Sequence, residues 1–153
     1  MPMGEAVDHL KVDHQVPEYR QNGSGTVNIN WLPGSHIEVG KQKHCKPAIA
    51  TFDERTVLLN AYSSNRRWEF WVTHLGGEKK AQKCDIKIVV SYEGSPTSIT
   101  FQGKVYGADT TKVRSDIKDE DGVLELRKSL MKKMGQVDEG KLQIPFSYQL
   151  VNK

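Results

Sequence analysis

Along the stretch RWEFWVTHL, residues 67–75, bulky apolar side chains fall at alternate positions. Trp68, Phe70, Val72 and His74 share one face of a period-two chain, and Trp71 and Leu75 share the other. Aromatic and β-branched residues at this spacing suit a pleated strand. Apolar residues on both faces imply burial on both sides, or a second layer of structure close by. A chain with such a strand needs partner strands and a facing layer.

The same period recurs along the chain. TVNINWL sets Val27, Ile29 and Trp31 against Asn28, Asn30 and Leu32, and HIEV continues after the turn LPGS. RTVLLNAY and SITFQGKVYG read as strands, and CDIKIVVSY places Ile86, Ile88, Val90 and Tyr92 on one face. KLQIPFSYQLV puts Leu142, Ile144, Phe146, Tyr148 and Leu150 inward, with Pro145 in the outward set, as suits an edge strand or a bulge. GGEKKAQ reads as a turn, and ADTTKVRSDIKDEDG as a long polar irregular segment. VLELRKSLMKKMG then gives a short strand followed by a short helix on Leu130, Met131 and Met134, stopped at Gly135. Roughly seven or eight strands separated by turn signals, with one short helix near the C-terminus, describe an all-β antiparallel sandwich.

Length sets the domain count. The 153 residues, 37% of them hydrophobic, suit one core, with residues 1–25 as a polar lead-in and linker and residues 26–153 as the folded domain. The lead-in carries at most a short helix before QNGSG. It lacks the apolar run of a signal peptide, and no stretch approaches the roughly 20 apolar residues of a membrane span. Cys45 and Cys84 form no CxxC pair, so both are expected as free thiols in a reduced, cytoplasmic protein. A net charge of +3 is too small to argue for nucleic acid.

Catalytic signatures are missing. There is no P-loop, no GxGxxG before a helix, no GxSxG elbow and no HExxH. The Asp116–Gly122 cluster lacks the ligand spacing of a calcium loop. His74 reads as a structural histidine on the inward face, and Cys84 as a packed thiol. A small hydrolase would need these two to meet in one pocket. His36, His44 and Cys45 lack an obvious fourth metal ligand.

One run of residues points to a family. In WEFWVTHLGGEKKAQKCDIKIVV, the aromatic pair Phe70-Trp71 leads a strand, Leu75-Gly76 turns it, and Lys79–Gln82 opens the next. SITFQGKVYG, GVLELRKSLMKKM, GKLQIPFSYQL and, upstream, INWLPGS follow in matching order. This order resembles the C-terminal domain of the seven-in-absentia (Siah) family of RING ubiquitin ligases, over about residues 26–151. The resemblance implies an eight-stranded TRAF-like sandwich that binds protein substrates and adaptors and forms homodimers. It implies no catalysis by this chain alone, since the RING that recruits the ubiquitin-conjugating enzyme lies outside it. Peptides would bind by strand addition at a sheet edge, here Val27, Ile29, Trp31, His36, Ile37 and Val39. After LPG the chain has SHIEVGKQK where the family has an apolar segment with a tryptophan and methionines. The resemblance also makes His9 and His14 the last two ligands of a zinc finger whose cysteines precede this chain, so zinc would belong to the full-length protein. The alternative is a TRAF- or MATH-like signalling adaptor with no ligase role.

Overall fold

Alternation becomes two facing sheets in a computed structural model, which describes residues 3–13, 16–29, 43–44, 47–91, 98–134, 136–138, 141–143 and 145–153. Helix α1 (Met3–Val12) precedes β1 (Glu18–Arg20) and β2 (Val27–Ile29). Then come β3 (Lys43–His44), β4 (Ala48–Phe52), β5 (Arg55–Ser63), β6 (Arg67–His74), α2 (Glu78–Ala81) and β7 (Cys84–Ser91). β8 (Ser98–Lys104), β9 (Tyr106–Gly107), α3 (Arg114–Asp119), β10 (Leu124–Arg127) and α4 (Lys128–Met134) follow. β11 (Gln136–Asp138), β12 (Lys141–Gln143) and β13 (Phe146–Asn152) complete the order.

One sheet runs β1-β4-β5-β6-β10, with β3 also paired to β5 and β9 to β6. The other runs β2-β13-β7-β8, and β11 and β12 form a separate hairpin. Most pairings are antiparallel, while β1 lies parallel to β4 and β9 parallel to β6. The architecture is therefore all-β and two-layered, with a few short helices.

The period-two residues explain the layering. Trp68, Phe70 and Val72 on β6 are buried, as are Ile86, Ile88 and Val90 on β7 and Phe146, Tyr148 and Leu150 on β13. They meet in one core cluster. The Phe70 and Phe146 rings, one from each sheet, stand 4.9 Å apart. Burying each such side chain contributes roughly 1.5–3 kcal/mol. At the β4–β5 hairpin Asp53 takes a left-handed conformation with φ 56, which a short polar side chain tolerates.

Several expectations need correction. GGEKKAQ is not a plain turn: after Gly77, whose φ of 94 favours glycine, it makes the single helical turn α2. The polar segment before Val123 contains α3, with Ile117 as its buried residue. SITFQGKVYG is split, because the chain leaves β8 after Lys104 and joins the other sheet as β9. AIATF forms β4, a strand whose alanines give a weak apolar signal. Within the lead-in, β1 pairs with β4, and Val16 beside it is buried.

Candidate functional site

At one end of the molecule the two sheets and α2 close around a cleft. Strand pairing brings His74 on β6 opposite Val57, two residues beyond Arg55 on β5. In the other sheet Asn152 on β13 lies opposite Cys84 on β7. Arg55 Nη1 donates to Asn152 Oδ1 at 2.7 Å, joining the sheets. Lys80 of α2 and Lys83 after it complete the wall. The cleft encloses about 200 Å³.

The electrostatics follow from this placement. Burial, and after it the charges of Lys80 and Arg55, hold His74 below its ordinary value. Its Nδ1 accepts the Gly76 backbone N–H at 2.8 Å, so the neutral ring carries its proton on Nε2. Burial pushes the Cys84 thiol up, and the thiol points at the Ala81 carbonyl, 3.7 Å away. His74 and Cys84 do share one cleft, the condition set for a hydrolase. However, a protonated thiol beside a neutral imidazole is the reverse of an activated thiolate pair. The ring nitrogen that a triad acid would orient instead accepts from the backbone.

A different charge cluster covers the outer face of β6. Glu69 is 3% exposed and lies opposite Glu125 of β10. Like charges directly opposite repel. Helix α3 resolves this. Arg114 Nη1 reaches Glu69 Oε2 at 2.9 Å, and Lys118 Nζ lies 3.1 Å from Glu69 Oε1 and 2.7 Å from Glu125 Oε1. These bonds, to Glu125 first and Glu69 next, raise the Lys118 ammonium above its ordinary value. The Arg114 guanidinium also stacks 3.6 Å from the centre of the Tyr62 ring.

The expected partner-binding edge is partly in view. β2 ends the smaller sheet: it pairs with β13 on one side and with no strand on the other among the described residues. Val27 is fully buried and Ile29 packs half-buried on the core, so β2 offers its main chain outward rather than these side chains. Trp31, His36, Ile37 and Val39 lie outside the described residues. Of the expected zinc ligands, His9 sits near the end of α1 with Nδ1 2.6 Å from Asp13 Oδ2, and His14 lies outside the described residues. Two histidines supply only half of a structural zinc site, and no group of three potential ligands comes together among the described residues.

Sequence reasoning missed Arg55, Lys80, Lys83 and Asn152. They are scattered along the chain and carry no motif, and only the register of four strands brings them together. No protein-family model matches the chain, and no curated protein matches it.

Proposed function

We propose that this chain is a protein-binding domain of TRAF-like fold that captures extended peptide segments by strand addition along β2. It would serve substrate and adaptor recognition, and homodimerisation, in a cytoplasmic Siah-like RING ubiquitin ligase. The RING and the remaining zinc ligands would lie outside this chain, with His9 and His14 contributing to the zinc site.

The observation that carries the reading is the outer edge of β2, which has no partner strand among the described residues. An edge strand presents unpaired N–H and C=O groups at alternate residues, and an added peptide completes the ladder. Buried Val27 and half-buried Ile29 anchor the strand, so the edge is held in place before a peptide arrives. The five matching segments of the sequence supply the family context.

The test uses a peptide selected on the domain from a random display library. Binding should slow amide exchange along Val27–Ile29. Methylating the peptide nitrogens at one alternate set should weaken binding at least tenfold, with the intervening set indifferent. Equal tolerance of both sets, or protection confined to other strands, would sink the proposal.

A further inference from the structure

We infer that the cleft walled by Arg55, His74, Lys80, Lys83 and Asn152 is a binding site for a phosphoryl-type oxyanion, either free phosphate or a phosphorylated side chain. This goes beyond the peptide edge and does not depend on it.

The first support is the imbalance of charge. Arg55, Lys80 and Lys83 line the cleft, and no carboxylate lines it among the described residues. None of the three has an acidic partner among the described residues. The nearby acids are engaged elsewhere. Asp85 sits 3.4 Å from Lys153 Nζ, Asp109 accepts the Glu78 N–H at 2.9 Å, and Glu78 accepts the Gly107 N–H at 2.6 Å.

The second support is that the polar groups are donors. His74 is 2% exposed, and with Nδ1 taken by the Gly76 N–H its Nε2–H is left to donate. That nitrogen has no partner among the described residues. Asn152 spends its oxygen on Arg55, which leaves its amide N–H groups. Guanidinium, ammonium, imidazole and amide donors around one cavity match the oxygens of a tetrahedral anion.

The third support is shape. A Cβ at Gly76 would come 2.7 Å from Lys80 Cδ and 2.8 Å from His74 Cε1. The Lys80 stem and the imidazole therefore both lie over the bare Gly76 backbone, a place only glycine leaves open. The volume of about 200 Å³ falls below the roughly 300–1,000 Å³ of clefts that take drug-sized ligands, so a single group fits rather than a nucleotide cofactor.

The experiment titrates the protein with inorganic phosphate at constant ionic strength, set with chloride, and follows amide and imidazole resonances. Phosphate should shift the signals of His74, Lys83 and Cys84 and raise the imidazole pKa, because a bound anion offsets the Lys80 and Arg55 charges. The double variant Lys80→Ala/Lys83→Ala, at two exposed positions, should weaken phosphate binding at least tenfold while the spectrum stays folded. A phosphoserine peptide that binds at least tenfold tighter than phosphate identifies a phosphorylated side chain as the natural occupant, and one that binds no tighter identifies the free anion. Shifts reproduced by chloride alone, or phosphate binding unchanged in the double variant, would overturn the inference. So would equal binding of the unphosphorylated peptide.

Discussion

The two faces at β6 carry opposite solutions to the same electrostatic problem. Toward α3, buried Glu69 faces Glu125, and Arg114 and Lys118 neutralise the pair. At the inward end of the same strand, His74 stands among three cations with no carboxylate on the cleft wall among the described residues. The first cluster is complete within the chain and holds a helix on a sheet. The second is complete only when an anion arrives. Charges balanced within the chain are costly to break one at a time, whereas charges left unbalanced in a cleft favour a ligand.

This contrast can be broken by mutation, most strongly on the balanced side. Glu69→Ala removes two charge-assisted hydrogen bonds, offset in part by relief of its repulsion with Glu125. It should cost about 2 kcal/mol in urea unfolding. A neutral result would mean that Ile117, the Lys118–Glu125 pair and the Arg114–Tyr62 stack hold α3 without Glu69. Tyr62→Leu removes the surface under Arg114 and should cost about 0.5–1 kcal/mol in the same assay.

On the unbalanced side the expected changes are smaller. Lys80→Ala and Lys83→Ala should each stay within about 0.5 kcal/mol of the parent, with any change a gain that shrinks as salt is added. A clear loss would show that these lysines already have a structural partner. The smallest effect is a slope. His74 is held below its ordinary value of 6.5, so the unfolded chain takes up the proton first as pH falls. Its contribution to stability is full above pH 6.5 and declines as pH drops from there toward the lowered folded value. Melting curves between neutral pH and pH 5 should therefore steepen through His74, and His74→Gln should flatten them. Phosphate should shrink the decline, because it favours the protonated ring and so brings the folded value back toward 6.5.

The strongly alternating segments were legible in sequence because one physical pattern decides them. β6, β7 and β13 bury Trp68, Phe70 and Val72, Ile86, Ile88 and Val90, and Phe146, Tyr148 and Leu150 as the period-two reading turned them. Leu142 falls instead in β12 of the separate hairpin, and Tyr92 and Ile144 lie outside the described residues. The failures share a cause too. α3 buries only Ile117, and it is held by ion pairs and by the Asp116 carboxylate accepting the Val113 N–H at 3.1 Å. Six residues are too few to display a 3.6-residue period. β9 is two residues long and reads as the tail of β8 until the chain crosses at Val105. For the cleft, His74 and Cys84 drew attention singly, as residue types. Nothing in the sequence signalled that Arg55 and Asn152 would be tied across two sheets.

The position of β13 bears on how the chain comes off the ribosome. This late strand is central in its sheet, flanked by β2 on one side and β7 on the other. Tyr148 pairs with Val27, so a strand made early must wait for one made nearly a whole chain later. Until then β2 has no ladder among the described residues, and the β13-side edge of β7 is unpaired. Such long-range closure is slow, and its exposed strands are open to misassociation while synthesis continues. A nascent chain stopped anywhere before Phe146 would carry an unfinished sheet, which gives quality-control chaperones a natural place to act.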